Sequence, residues 1–421
     1  MVPSDCILLT TLKGGLVVSP SYGLYCAVLP EEFNIFRSYL EHSNIELPQS
    51  LAKRLADHGF DGEPRSFAHD PPLLQFQVTR ACNLRCIYCA VDAGLARPNE
   101  LSLDDVKRTI DEVRTIYPDI RISFTGGEPL IVPWIFDAID YAESHSRQQV
   151  GLLSNLLLLK DNSVLFERVV NFLKRGHQLR VSMSGADREV CNRLSGKDCY
   201  DDAIQIIQRL AAEGVVTDLD IALSAPDAQA NIQAFADFRR AIPEPIPILL
   251  GMIYTCGREK GDHVFESVQE QESVVDDICF EGGLSLKGLK PSPVTYRRNG
   301  CSCVDDENLY IQSDGEVFEC VKLKGRIGHI SEGMKTIVER RRKTALSNQV
   351  EPCRSCPFVY LCACGCLADR IVFQETHSEP FCGPWRKQVI AEALFEDKPY
   401  ILEWSILHLM AEARRRGIKI E

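Results

Sequence analysis

No apolar run in the 421 residues is long enough to span a bilayer. The stretch Met1 to Val18 lacks a basic start, an extended apolar core and a small-residue cleavage site, so no secretory signal is expected. Positive charge is not in excess either. The formal net charge is −12, which argues against a general nucleic-acid binder, because neutralising phosphates needs a basic face. The short basic runs Arg340–Lys343 and Arg414–Arg416 read as solvated helix faces. Internal repeats and low-complexity tracts are missing. These absences point to the cytoplasm, with no membrane and no nucleic acid as partner.

What is abundant is cysteine, with 18 residues. A reducing cytosol does not keep many disulfides. Cysteines at short, regular spacings therefore suggest thiolate ligands, which suit zinc or iron–sulfur clusters.

Three regions separate before the C-terminus. In residues 1–70, Cys6–Leu12 and Leu24–Leu29 read as strands, and Glu31–Leu40 and Ser50–His58 as amphipathic helices. Residues 71–283 alternate. Strand-like runs at Leu73–Thr79, Ile120–Phe124, Val150–Ser154, Gln178–Met183, Leu219–Ser224 and Ile246–Ile253 are separated by helical patterns. The clearest helix starts at Ser102, with Asp105 in a capping-box position and Val106, Ile110, Val113 and Tyr117 along one face. Six strands alternating with helices predict an α/β fold with a parallel sheet, either open or a partial barrel. In residues 284–385 periodicity fades and cysteines crowd together, as in a region that needs metal to fold. Residues 386–421 read as helices.

The first cysteine group is Cys82-Asn-Leu-Arg-Cys86-Ile-Tyr-Cys89, just after the first strand of the alternating region. Three thiolates can hold three irons of a [4Fe–4S] cube and leave the fourth open to a chelating ligand. Zinc is the alternative, but a structural zinc site wants four ligands, and no fourth Cys or His lies in this loop. The spacing resembles the signature of radical S-adenosylmethionine (SAM) enzymes. The resemblance implies a partial (β/α)6 TIM-like barrel in which a [4Fe–4S] cluster on Cys82, Cys86 and Cys89 binds and reductively cleaves SAM. It also implies that Tyr88, the aromatic before the third cysteine, lies near the adenine, whereas a bare reading of Tyr88 is a packed loop aromatic. Gly126, Gly127 and Glu128 of Thr125-Gly-Gly-Glu-Pro129 match the element that holds the SAM amino group. Glycines there let backbone approach a ligand, and a carboxylate can accept from an ammonium. Ser154, Asn155 and Ser182, at or near strand ends, would meet the ribose or methionine portion.

The second cysteine group resembles the SPASM domain, a C-terminal extension of many radical SAM enzymes. Cys303, Cys320, Cys353, Cys356, Cys362, Cys366 and Cys382 follow its pattern, with Cys301 as the eighth candidate. The resemblance implies one auxiliary cluster on Cys353, Cys356, Cys362 and Cys382, and a second on Cys301, Cys303, Cys320 and Cys366. A zinc-ribbon-like fold is the structural alternative. Cys364 is extra, and Cys6, Cys26, Cys191, Cys199, Cys256 and Cys279 match no ligand spacing and read as small buried hydrophobes.

Enzymes with this extension mostly modify peptides or proteins. The N-terminal pattern resembles a small winged-helix-like module that grips the leader of a precursor peptide, by adding the peptide as a strand to a sheet edge. A structural cap is the alternative. The expected partners are thus a precursor peptide with a leader and a flavodoxin- or ferredoxin-type electron donor. The sequence also departs from its relatives. Ser184 stands where an acidic residue is common, and Cys191 and Ser195 where His and Arg often stand, leaving Arg193 or Arg180 to meet the SAM carboxylate. Three readings follow: a peptide cross-linking or oxidising maturase, a radical SAM enzyme for a small molecule or a sulfatase, and a non-catalytic iron–sulfur subunit.

Overall fold

The computed structural model describes residues 2–42, 45–62, 71–243, 246–266, 270, 273–275, 277–278, 308–323, 325–343, 355–362, 384–398, 401 and 406–419. The chain divides into two compact units. One comprises Met1–Asp70, Leu286–Val304 and Ser347–Glu421, the other Pro71–Ser285 and Asp305–Leu346.

In the first unit, β1 (Ile7–Thr11), β2 (Gly14–Ser19) and β3 (Leu24–Val28) form an antiparallel sheet in sequence order. Helices α1 (Pro30–Glu41) and α2 (Gln49–Asp57) follow. Val17, Cys26, Phe36 and Leu51 are fully buried in their shared core. The central strand β2 was not among the two strands expected here, because Gly14 and Gly15 look like a turn. The structure uses them for close approach: a Cβ on Gly14 would stand 2.6 Å from Val28 O, and one on Gly15 would stand 2.4 Å from the Phe33 ring. The helix Pro384–Phe395 belongs to this unit. Its Glu392 Oε1 accepts the Leu12 N–H at 2.6 Å, and Glu396 pairs with Lys13 at 2.9 Å.

The second unit is α/β with a mostly parallel sheet. Strands β4 (Leu73–Gln77), β5 (Arg121–Thr125), β6 (Val150–Ser154), β7 (Gln178–Met183), β8 (Asp218–Leu223) and β9 (Ile248–Met252) pair in parallel and in sequence order. All six expected strands are present. Beyond β4 the sheet continues with β10 (Asn308–Ile311), parallel to β4, and then β11 (Glu316–Phe318) and β12 (Arg326–His329), both antiparallel. These three lie in the stretch where cysteines begin to crowd. Among the described residues β9 and β12 are the two ends, so the sheet stays open.

Side chains alternate across each strand. Leu179, Val181 and Met183 of β7 are buried, whereas Arg180 and Ser182 are exposed. The apolar face is covered by helices such as α3 (Leu103–Ile116), where Val106, Ile110 and Val113 are fully buried. Ser102 caps this helix, accepting the Asp105 N–H at 3.1 Å while its own N–H donates to Asp105 Oδ2 at 3.1 Å. Tyr117, expected on the buried face, is instead the C-cap, its N–H bonded to Val113 O. Helices α4 (Ile135–His145), α5 (Ser163–Lys174), α6 (Arg188–Ser195), α7 (Tyr200–Ala212) and α8 (Ala228–Ala241) make the remaining connections. No helix among the described residues is long and apolar enough to cross a membrane.

Candidate functional site

The chain leaves β4 and folds the cysteine loop back on itself. Cys82 N–H donates to Gly94 O at 2.9 Å and Gly94 N–H to Arg80 O at 2.8 Å. Glu100 fixes the entry, accepting from Thr79 Oγ1 at 2.6 Å and from Arg80 N–H at 2.7 Å. The middle of the loop uses the last carbonyls of α6, groups a helix end cannot satisfy internally. Arg85 N–H donates to Ser195 O at 3.0 Å and Ile87 N–H to Leu194 O at 2.9 Å.

Arg258, which follows β9, closes the loop from the other side. Its backbone N–H donates to Cys89 O at 3.0 Å, and its guanidinium to Cys86 O, Ala93 O and, at 2.9 Å, Asp92 Oδ1. Gly257 makes this approach possible: its φ is +61°, and a Cβ there would stand 2.2 Å from Cys89 O. Sequence reasoning missed both residues. A glycine before a charged residue in the loop after β9 was the available signal, and it does not name its distant partner.

Burial pushes the Cys82 thiol up to about 11 and the Cys86 thiol up to about 12. Repulsion from neighbouring thiolates adds to this at both residues. As free thiols they stay protonated near neutral pH, and metal coordination would deprotonate them. Amide groups already face the sulfurs: Leu84 N–H points to Cys82 Sγ at 3.4 Å and Ala93 N–H to Cys89 Sγ at 3.3 Å.

The glycine turn after β5 lies against this loop. Gly127 N–H donates to Thr79 O at 2.7 Å and Glu128 N–H to Ala81 O at 2.8 Å. A Cβ on Gly127 would stand 2.2 Å from Ala81 O, so only glycine fits. The Glu128 carboxylate is fully buried. It accepts from Ser154 Oγ at 2.8 Å, Asn155 N–H at 2.8 Å and Leu130 N–H at 3.0 Å. Burial pushes Glu128 up to about 7 despite these hydrogen bonds. Asn155 Nδ2 donates to Asn83 Oδ1 at 2.9 Å, which ties the end of β6 to the cysteine loop.

Cys82, Cys86, Tyr88, Cys89, Gly126, Gly127, Ser154, Asn155 and Ser182 line one cavity of about 280 Å³. Glu128 is not in its wall and supports Ser154 and Asn155 from behind. Gln75, Tyr310 and Val321 also line the wall and were not foreseen. Tyr310 arrives through the pairing of β10 with β4, a contact too distant in sequence to leave a local signal. The Tyr88 hydroxyl lies 2.8 Å from Ser184 Oγ, and burial holds its phenol well above the ordinary value. Arg193 is paired with Asp227, whereas Arg180 is on the exposed face of β7.

Among the described residues the wall carries three thiols and no imidazole, carboxylate, amine or guanidinium. Among the described residues no three His, Cys, Asp or Glu side chains converge on a point that could hold one metal ion. Soft sulfur donors around a ligand-sized space suit an iron–sulfur cluster with a bound organic ligand.

Of the second cysteine group, Cys320, Cys356 and Cys362 are described and half-buried. Lys322 N–H points to Cys320 Sγ at 3.5 Å, and the Arg386 guanidinium to Cys362 Sγ at 3.5 Å. Cys301, Cys303, Cys353, Cys364, Cys366 and Cys382 lie outside the described residues. Of the unassigned cysteines, Cys26, Cys191 and Cys199 are buried, Cys6 and Cys256 half-buried, and Cys279 lies outside the described residues.

Residues 76–223 match the radical SAM superfamily. Over 274 residues the chain is 30% identical to GTP 3′,8-cyclase from Streptomyces coelicolor, covering 59% of this chain and 77% of the cyclase. The chain belongs to the radical SAM superfamily. It is also 29% identical over 144 residues to mycofactocin maturase MftC from Mycobacterium tuberculosis, covering 34% of this chain. That match spans only 35% of the length of MftC. The fold resembles that of SuiB from Streptococcus suis bound to S-adenosylmethionine, with a TM-score of 0.52 and 16% identity over 91% of this chain and 99% of SuiB. SuiB has also been solved bound to precursor peptide SuiA. The cofactors of this radical SAM chain are S-adenosylmethionine and a [4Fe–4S] cluster, and the donor set of the cavity fits them.

Proposed function

We propose that this chain is a radical SAM peptide maturase. It takes a hydrogen from a ribosomally made precursor peptide and installs a thioether or carbon–carbon cross-link, or another oxidative change. The observation that carries the reading is the shared cavity wall of Cys82, Cys86 and Cys89 with Gly126, Gly127, Ser154, Asn155 and Ser182.

When bound, the cluster and SAM supply a one-electron cleavage that yields a hydrogen-abstracting radical. Cys82, Cys86 and Cys89 hold the cluster. Gly126 and Gly127 let the turn pack against the backbone of Thr79 and Ala81, which holds it in the cavity wall. Ser154, Asn155 and Ser182 offer hydrogen bonds to its polar groups, and Glu128 keeps Ser154 and Asn155 in place. Leu84, Val91 and Val321 give the wall apolar surface that keeps water from the reacting atoms. Further clusters on Cys353, Cys356, Cys362 and Cys382, and on Cys301, Cys303, Cys320 and Cys366, would carry electrons or bind a substrate thiolate in a SPASM-type domain. A flavodoxin or ferredoxin of the cytoplasm would supply the first electron.

Two similarities favour a peptide over other substrates: MftC is named a maturase, and SuiB was solved with a precursor peptide. The N-terminal sheet supports the same reading. Among the described residues β1 and β3 each have a strand neighbour on one side only, so an extended leader could add to an edge. The match to GTP 3′,8-cyclase favours a second reading, a small-molecule substrate.

Co-expression with each short peptide encoded beside this gene, followed by intact mass, tests the choice. A peptide that loses hydrogens only when Cys82, Cys86 and Cys89 are present supports the maturase. If no peptide changes mass while SAM is still cleaved, the small-molecule reading replaces it.

A further inference from the structure

One polar cluster next to the cavity takes no part in the account above. Ser184 and Ser195 are both buried, at 4% and 1% exposure. Ser184 Oγ lies 2.8 Å from the Tyr88 hydroxyl and 3.2 Å from Ser195 Oγ. Ser195 Oγ also meets the carbonyl oxygen of Cys191, one turn back in α6, and Cys199 Sγ lies 3.3 Å from it.

A serine hydroxyl donates one hydrogen and accepts two. Ser195 Oγ is placed to donate to Cys191 O, the back-bond usual for a serine inside a helix, and to Ser184 Oγ, and it accepts from Cys199. Either hydroxyl of the Tyr88–Ser184 pair can donate to the other, and in both cases the bond ties the Tyr88 ring to Ser184.

The same end of α6 holds the loop by its backbone, since Ser195 O and Leu194 O accept from Arg85 and Ile87. Tyr88 is thus fixed twice against one helix end, by the peptide groups on its N-terminal side and by its own hydroxyl. Its ring then has one position in the wall it shares with the three ligand cysteines.

Resting on the SAM-site reading, we infer that Ser184, backed by Ser195, is a positioning residue that locks the Tyr88 ring in the wall of the SAM cavity.

The test uses full-length protein with its clusters reconstituted anaerobically. SAM affinity is read from the change it causes in the electron paramagnetic resonance spectrum of the reduced cluster, with iron content measured in parallel. Ser184→Ala and Tyr88→Phe are each expected to weaken SAM binding roughly three- to tenfold, the usual worth of one net hydrogen bond. Ser184→Thr, which keeps the hydroxyl, restores it to about twofold of wild type. The double variant is no weaker than the worse single variant, because both remove one bond. Unchanged affinity in Ser184→Ala at full iron content overturns the inference, and so do losses that multiply in the double variant. Should Ser184→Ala lose iron, Tyr88→Phe decides alone, and wild-type affinity there overturns it. A wild-type protein whose spectrum ignores SAM overturns the SAM-site reading together with this inference. A responsive wild type with unaffected variants overturns the inference only.

Discussion

Arg258 donates its backbone N–H to the carbonyl oxygen of Cys89 at 3.0 Å, while its guanidinium reaches Cys86 O and Ala93 O. One residue beyond β9 thereby fixes the carbonyls of two of the three cysteines proposed to hold the cluster. Without this staple the Cys86–Ala93 side of the loop keeps the α6 contacts and its own turn, while the Cys82 side is still held by Glu128 and Asn155.

Replacing Arg258 should loosen the loop without touching a ligand. Arg258→Ala removes the side-chain bonds, each worth about 1 kcal/mol net. The expected result is several-fold faster loss of cluster iron to a chelator. Arg258→Lys should rescue little, since an ammonium cannot reproduce the fork. Iron release at the wild-type rate in Arg258→Ala would contradict the staple.

Gly127 is a second steric test. A Cβ there would stand 2.2 Å from Ala81 O, and the flanking hydrogen bonds to Thr79 and Ala81 prevent an easy shift. Gly127→Ala should cost about 1–3 kcal/mol and lower cluster content. Gly214→Ala is the control. Nothing lies within 4 Å of its Cβ position, so it bears only the strain of a φ of +73°, about 1 kcal/mol. Urea titrations of both variants, with iron analysis, distinguish the two effects. Equal behaviour would show that Gly127 is not a contact glycine.

Glu128 should give the apoprotein a pH signature. Burial raises this carboxyl from 4.5 to about 7. Between these values the folded chain keeps a proton that the unfolded chain has released. Its stability contribution is therefore present below pH 4.5, declines as pH rises towards 7 and is lost above it. Relative to Glu128→Gln, wild-type protein should lose up to about 3 kcal/mol between pH 4.5 and pH 8. Urea melts at both ends of that range read the difference, and a constant difference would refute the assignment.

The cysteine-rich region makes a stoichiometric prediction. Two auxiliary clusters with the SAM cluster require about 12 irons per chain, and one auxiliary cluster about 8. Cys353→Ser should remove about 4 irons and leave the SAM-induced spectral change of the remaining cluster. A wild-type content of about 4 irons would leave the SPASM-type proposal without its clusters.

Much of the second unit was legible because its signals are local. Apolar runs separated by helical patterns marked the six strands β4 to β9, and Ser102 with Asp105 marked the start of α3. The cysteine spacing and the Gly126-Gly127 turn named residues that the fold brings to one cavity. What was illegible depends on distant pairing. Tyr310 reaches the wall only because β10 pairs with β4, and Arg258 matters only because the loop after β9 meets Cys86 and Cys89. Glu128 carried the right chemistry in its side chain, but the sequence could not show that Ser154 and Asn155 already occupy it. Gly14 and Gly15 misled in the opposite direction, since glycine marks both turns and close strand approach.

The central claim is that Cys82, Cys86 and Cys89 hold a cluster that cleaves SAM. The direct measurement is 5′-deoxyadenosine released from SAM by the reconstituted, reduced full-length chain, beside the chain with all three cysteines changed to serine. The account predicts product from the first and none from the second, with the iron of the other clusters retained. Product at equal rates from both, or none from an iron-replete wild type, would contradict it.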